Sequence, residues 1–276
     1  MPELPEVEVI RRGLRPLVRG KVFAAPRIFT PKTVAYPEPE LFARRLTGRR
    51  VEELGRQGKF LLFFLDRGEL VFHLRMTGRL VYLPEKAPLP HDGTLRLFLP
   101  FADGSGLFFG DLRKFGRVWL FQQKEERVHA GLHRLGPDIY EQVDEDQFLD
   151  LLRRRERSRL KPLLLDQYFV AGLGNIYVDE SLFRCGLHPR KRVAELSEEE
   201  RRKLYRAIRE TLEEGIRWGG TSTRDYRDAR GDRGRFQERL QVYGRQGRPC
   251  RCGCTIRRIR VAGRGTYYCP GCQGKE

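Results

Sequence analysis

The chain's 276 residues include 54 basic and 37 acidic side chains, a net charge of +17, and 39% of the residues are hydrophobic. That length suits two or three domains with real cores, and no stretch approaches the roughly 18 uninterrupted apolar residues of a membrane span, so a transmembrane protein is excluded. Glu3 and Glu6, with no apolar run behind them, argue against a secretory signal and for a cytosolic protein.

In chain order, a helix is predicted over Pro5–Val18, where Leu4, Val7, Ile10, Leu14 and Leu17 recur at steps of three and four. Glu3, Glu6 and Glu8 open it and Arg11, Arg12, Arg15 and Arg19 close it, the order the helix dipole favours. From Lys21 to Phe121 the texture changes to short β-like runs: Phe60–Leu65, Leu70–Leu74, Leu95–Phe101, Leu107–Phe109 and Val118–Phe121. Turn signals such as Asp66-Arg67-Gly68 separate them, so residues 1–130 are expected to form a β-sandwich carrying one N-terminal helix. Residues 124–144, punctuated by Gly131, Gly136 and Pro137, read as a linker. Farther on, Ser197 and Glu200 make a capping box, and Leu204, Ala207, Ile208, Leu212 and Ile216 form one apolar stripe that ends before Gly219-Gly220. Residues 221–234 are polar and Gly-rich and read as a mobile loop at the end of a helical domain over 131–234.

The charge follows this division. Residues 1–130 carry 23 basic and 15 acidic side chains, residues 131–230 carry 20 and 19, and residues 231–276 carry 11 and 3. Two basic segments around a neutral one favour a polyanionic partner, nucleic acid first, over an Arg-rich solubilising surface.

Five of the six cysteines fall between Cys250 and Cys272. In a cytosolic chain that clustering favours a metal site over disulfides. Cys269-Pro-Gly-Cys272 is a CxxC knuckle, and sixteen residues separate it from Cys252, as in four-cysteine zinc ribbons. The first knuckle, Cys250-Arg-Cys252-Gly-Cys254, is irregular. Cys250 and Cys252 are the expected ligands beside Cys269 and Cys272, with Cys254 as the substitute, so that residues 235–276 fold around one structural Zn2+; a finger that has lost its metal is the alternative. Cys185, alone in a helical stretch, reads as a small buried hydrophobe. Arg257, Arg258, Arg260 and Arg264 lie between the knuckles and would give the hairpin a face suited to phosphate.

Six segments carry a family resemblance: Met-Pro-Glu-Leu-Pro-Glu-Val-Glu at the start, Gly58-Lys59-Phe60-Leu61-Leu62, His73-Leu-Arg-Met76-Thr-Gly78, Asp111-Leu-Arg113-Lys-Phe115-Gly116, Gly172-Leu-Gly-Asn175-Ile-Tyr177, and Val261-Ala-Gly-Arg264-Gly-Thr266. In this order, spanning nearly the whole chain, they resemble the formamidopyrimidine-DNA glycosylase family. The resemblance implies an α+β multi-domain architecture: a β-sandwich with an N-terminal helix, a helix-two-turn-helix domain and a zinc ribbon. It implies a base-excision repair enzyme, monomeric and nucleoid-associated in the cytoplasm, that removes oxidised purines from double-stranded DNA and then cleaves the abasic strand by β- and δ-elimination.

By the same resemblance, Pro2 becomes the nucleophilic amine once Met1 is removed. A free α-amino group has an ordinary pKa of about 7.7 to 8.0, against about 10.4 for lysine, so far more of it is uncharged at neutral pH. Glu3 would act as general acid and proton shuttle, Lys59 would assist base release and touch phosphate, and Arg264, the fourth catalytic residue, would grip the phosphates beside the lesion and assist δ-elimination. Met76, Arg113 and Phe115 match the side chains that fill the hole left by a flipped nucleotide. Asn175, opening a helix after Gly172 and Gly174, suits a phosphate; His73, His91 and Arg157 are further phosphate candidates, and residues 221–234 correspond to a lid over the flipped base. The chain departs from the family pattern at Arg75, where glycine is common, at Leu112 for proline, at Lys114 for arginine, and in a first knuckle one residue short. These departures bear on lesion preference and finger geometry. A relative preferring oxidised pyrimidines, or a non-catalytic damage-binding protein, are the competing readings.

Overall fold

Helix α1 (Leu4–Val18) buries Leu4, Val7, Ile10, Leu14 and Val18 completely. Its inward stripe ends on Val18, whereas Leu17, the predicted position, is only half-buried; after Leu14 a four-residue step returns closer to the same face than a three-residue one. There follow β1 (Arg27–Ile28), β2 (Val34–Tyr36), helix α2 (Pro39–Leu46), β3 (Val51–Gln57), β4 (Phe60–Leu65), β5 (Glu69–His73), β6 (Gly78–Leu83), β7 (Leu95–Pro100), β8 (Gly106–Asp111) and β9 (Arg117–Phe121). They form two sheets in the orders β1-β7-β8-β6 and β2-β9-β5-β4-β3, with β2 and β9 parallel.

Strand alternation turns Leu61, Phe63, Leu70 and Phe72 of the second sheet toward Leu80, Leu97, Leu99, Leu107 and Phe109 of the first, giving one apolar core. Phe72 and Phe109 meet across it with ring centres 5.7 Å apart. Strands β3 and β6 and helix α2 escape the sequence reading. In β3 the run Val-Glu-Glu-Leu-Gly-Arg-Gln hides its alternation behind charges, one of which, Arg56, is buried.

The computed structural model describes residues 2–223 and 225–274. They gather into two compact units, one made of residues through Arg134 with Ile216–Gln237, the other of Leu135–Gly215 with residues from Glu238 onward. This regroups the three-part division into 1–130, 131–234 and 235–276: the loop segment clusters with the sandwich and the cysteine-rich hairpin with the helices.

The second unit holds α3 (Glu145–Arg153), α4 (Leu160–Leu165), α5 (Asn175–Cys185), most of α6 (Glu198–Arg217), the hairpin β10 (Arg257–Val261) and β11 (Arg264–Tyr268), and the short α7 (Pro270–Gln273). The capping box that opens α6 is present. Ser197 N–H donates to Glu200 Oε2 at 2.9 Å and Glu200 N–H to Ser197 Oγ at 3.1 Å. Cys185 is buried at the end of α5.

Candidate catalytic and nucleic-acid site

In the sandwich unit, Pro2 and Glu3 are buried just ahead of α1, with Glu3 as its N-cap. The Glu3 N–H donates to Glu6 Oε2 at 2.7 Å, and Glu6 Oε1 accepts the Thr221 N–H at 2.7 Å. One buried carboxylate therefore fixes the backbone of the N-terminal residues on one side and the start of the 221–234 loop on the other. Read from sequence, Glu6 is only a dipole-favouring acid. Its reach of 215 residues along the chain has no local signal.

Lys59 is the second residue of a two-residue turn between β3 and β4, where Gln57 pairs with Phe60 and Gly58 adopts a φ of +58°. Glycine first in such a loop is the pattern of a type II′ hairpin, which needs the left-handed region there. Though on a turn, the lysine is only 7% exposed. His73 pairs with Phe60 across β4 and β5, its ring edge-on at 4.5 Å. Burial, with the charges of Arg75 and Lys59, pushes the His73 pKa down to about 3, so the ring is neutral. Its Nδ1 accepts the Arg75 N–H at 3.0 Å, which leaves the proton on Nε2 as a donor fit for a phosphate oxygen.

Met76, Arg113 and Phe115 come together on two adjoining loops of this unit. The Arg113 guanidinium lies 4.8 Å over the Phe115 ring, and its Nη1 sits 3.1 Å from Met76 Sδ. Met76 is 43% and Phe115 46% exposed, so two large apolar side chains stand in solvent beside an arginine. The buried Asp111 organises the pair of loops: it accepts the Thr77 hydroxyl, the Arg113 N–H at 3.2 Å and the Gly116 N–H at 2.6 Å. Nothing in the local sequence shows that Asp111 ties these two loops together. Two of the family departures, Arg75 and Lys114, take left-handed φ values of 55° and 59° on these loops, a conformation costly for any residue but glycine. Leu112 is exposed beside them, and His91 is exposed on the β6–β7 loop.

The 221–234 loop, expected to be mobile, is anchored at its middle. Tyr226 and Ala229 belong to the sandwich core, and the Tyr82 N–H donates to Ala229 O at 2.8 Å. Ser222 Oγ accepts the Gly234 N–H at 3.0 Å and Asp228 Oδ1 accepts those of Arg230 and Asp232, both at 2.9 Å. Polar composition signals a loop, and these internal bonds are the use it makes of that polarity.

In the second unit, Asn175 is the first residue of α5 after its N-cap Gly174. Its Nδ2 donates to the carbonyl of Gly265 at 2.9 Å, tying the helix start to the hairpin beside Arg264. Arg264 is exposed at the head of β11, where the turn Ala262-Gly263 has both φ values positive, 45° and 76°, as a type I′ hairpin requires. Beneath it lies a buried cluster. Lys161 Nζ is 2.6 Å from Asp179 Oδ1 and donates to Thr266 Oγ1 at 2.8 Å, while Asp179 Oδ2 accepts the Tyr267 N–H at 3.0 Å. Burial pushes the Asp179 pKa up, against the pull of Lys161 and the Tyr267 N–H. Arg157 is exposed between α3 and α4.

The Sγ atoms of Cys250, Cys252, Cys269 and Cys272 all lie within 4.8 Å of one another. The Cys250–Cys272 pair is 3.7 Å apart and the Cys252–Cys269 pair 3.4 Å. Four thiolates about 2.3 Å from a tetrahedral zinc ion have edges of roughly 3.8 Å, so both the donor set and its spacing fit a metal ion. Cys254 is not one of the four; its Sγ lies beside Gly271, on the side that Cys252 Sγ also faces.

Comparison with known proteins agrees with this geometry. The family described as Formamidopyrimidine-DNA glycosylase N-terminal domain matches residues 1–118, and that described as Formamidopyrimidine-DNA glycosylase H2TH domain matches residues 135–227. The formamidopyrimidine-DNA glycosylase of Heliobacterium modesticaldum is 47% identical, covering 99% of this chain and 100% of its own. That of Geobacillus kaustophilus is 45% identical, with the same coverage. Among solved structures, the complex between Lactococcus lactis Fpg and DNA containing an abasic site is 39% identical with a TM-score of 0.89, covering 99% of this chain and 100% of that one. A complex of a variant of the same protein with DNA containing Fapy-dG is 40% identical, with the same TM-score and coverage.

Proposed function

The chain belongs to the formamidopyrimidine-DNA glycosylase family, and from that membership we propose that it excises oxidised purines, 8-oxoguanine and formamidopyrimidines, from duplex DNA and cleaves the resulting abasic strand. The observation that carries this reading is the placement of Glu3 and Lys59, a carboxyl and an amine both nearly withdrawn from solvent, in the unit that also holds the buried Pro2 and the exposed Met76, Arg113 and Phe115. Buried ionisable side chains are expensive unless chemistry or partners retain them.

With Met1 removed, Pro2 offers a secondary amine. Its lone pair attacks C1′ of the damaged nucleotide, the glycosidic bond breaks, and the base leaves with its electron pair and a proton. The Glu3 carboxyl protonates the sugar ring oxygen as the ring opens, leaving an iminium on Pro2. Loss of a C2′ proton then expels the 3′ phosphate, and a second elimination expels the 5′ phosphate. Lys59 assists departure of the base. Arg264 and Asn175 bind backbone phosphates, joined by His73, His91 and Arg157. Met76, Arg113 and Phe115 fill the vacated stack, which offsets the few kcal/mol of unstacking, and the 221–234 loop covers the extruded base. Cys250, Cys252, Cys269 and Cys272 would hold one Zn2+, which supplies a thiolate clamp at the base of the hairpin that presents Arg264.

Single-turnover excision on a panel of duplexes tests the reading. Faster release of 8-oxoguanine opposite cytosine than of thymine glycol is expected. The reverse order would assign the chain to oxidised pyrimidines, and binding without excision of either lesion would make it a damage-binding protein.

A further inference from the structure

We infer that Arg56, gripped by Glu8, is a positioning residue that holds the Gly58-Lys59 turn in place for base release; the inference rests on the proposed role of Lys59. Arg56 is three residues from Lys59 on β3, and the alternation of that strand turns it inward, where its side chain is fully buried. Two of its contacts join the helix to the turn. Its Nε is 3.3 Å from Glu8 Oε2 of helix α1, and its Nη1 donates to the carbonyl of Gly58 at 2.9 Å. That carbonyl belongs to the peptide joining Gly58 to Lys59.

Glu8 is itself buried and over-supplied with cations. Arg11 reaches it as a fork, Nε at 2.9 Å and Nη2 at 2.7 Å, and Arg12 Nε lies 2.6 Å away. Burial pushes the Glu8 pKa up, yet the bonds from Arg11 and Arg12 and the Arg56 charge outweigh it, and the carboxyl titrates below its ordinary range. The carboxylate is thus anchored on α1, the helix that Pro2 and Glu3 lead into, and Arg56 is anchored on the carboxylate. A continuous chain of buried charge runs from the N-terminal helix to one peptide plane in the turn.

A buried ion pair is a weak device for stability, since an apolar pair of similar volume often serves as well. It is a good device for orientation. Gly58, with no side chain and a φ of +58°, offers little resistance to rotation of its own peptide, and Lys59 hangs from that peptide on a four-carbon stem. A small tilt at the turn moves Nζ by an ångström or more, and misplacement of that size costs about 100-fold in rate.

The test uses the full-length protein with Arg56→Lys, Glu8→Gln, Lys59→Met and the double variant Arg56→Lys/Lys59→Met. Each is assayed for single-turnover release of 8-oxoguanine and, separately, for cleavage of a duplex with a preformed abasic site. Arg56→Lys keeps the charge and loses the fork; it is expected to slow base release about 10- to 100-fold, to leave abasic cleavage nearly unchanged, and to add little to Lys59→Met in the double variant. Glu8→Gln, which keeps an acceptor for Arg56 and perturbs folding least, should show the same split more weakly. Equal loss in both assays, or full additivity with Lys59→Met, would overturn the positioning role. If Lys59→Met releases base at the normal rate, the reading of Lys59 fails instead.

Discussion

The groups assigned to chemistry in the sandwich unit and the arginines assigned to phosphate in the second unit are held by different means. In the sandwich unit the groups assigned to chemistry are buried, with Glu3 and Lys59 within a few per cent of full burial, next to a large phenylalanine-rich core that can hold them. In the second unit Arg264 and Arg157 stand in solvent, and the protein invests in the backbone beneath Arg264, through Lys161, Asp179, Thr266 and the four cysteines. The difference follows from size. The cysteine-rich segment is too short for a core of its own: its apolar cluster of Val242, Cys250, Ile256 and Cys269 is completed by Phe183 from α5. A buried group needs its pKa and direction controlled, whereas an exposed phosphate clamp needs only its position.

That contrast can be broken most severely at the cysteines. Stripping the metal with a strong chelator should unfold the hairpin, because structural zinc contributes on the order of 10 kcal/mol to small domains. The expected result is about one zinc per chain before treatment, and afterwards loss of DNA binding with the thermal unfolding of the sandwich retained; a metal content near zero in untreated protein would remove the ribbon. Next in size, Asp179→Ala leaves Lys161 buried without its counter-charge and should cost about 3–5 kcal/mol in urea unfolding. A loss under 1 kcal/mol would mean that the cluster is not what holds the hairpin.

The sandwich unit should answer to pH through His73. Its folded pKa of about 3 lies below the ordinary value near 6.5, so between these the unfolded chain binds a proton that the folded one refuses. Stability is therefore complete above about pH 6.5 and falls as pH drops, by about 2 kcal/mol on reaching pH 5. His73→Gln should flatten that limb in denaturant titrations at several pH values. The smallest effect belongs to Arg264→Ala, which should weaken DNA binding and reduce the slope of log affinity against log salt by about one. An unchanged slope would mean that this arginine meets no phosphate.

Much of this was legible in the residues, though unevenly. Helix α1 carries a clean periodicity, strand β4 is an unbroken apolar run of strand length, and the cysteine spacing points to a four-thiolate cluster. What stayed hidden are polar groups whose partners are remote in sequence. Glu6 reaches Thr221, Arg56 reaches Glu8, and Lys161 reaches Thr266 across 105 positions. A charge that will be buried looks the same in one dimension as a charge that will be solvated. Strand β3 is hidden for this reason, since Arg56 interrupts the expected apolar alternation at a point where the fold turns it inward. The 221–234 loop looks mobile in sequence because its anchors, Tyr226 and Ala229, are two residues among many polar ones.

The central claim is that the proline nitrogen carries the reaction, and borohydride trapping on an 8-oxoguanine:cytosine duplex tests it most directly, combined with mass spectrometry of the protein's N-terminus. The account predicts a reduced covalent adduct between DNA and Pro2 in protein that has lost Met1. No adduct in protein confirmed to begin at Pro2, or an adduct mapped to Lys59, would contradict it.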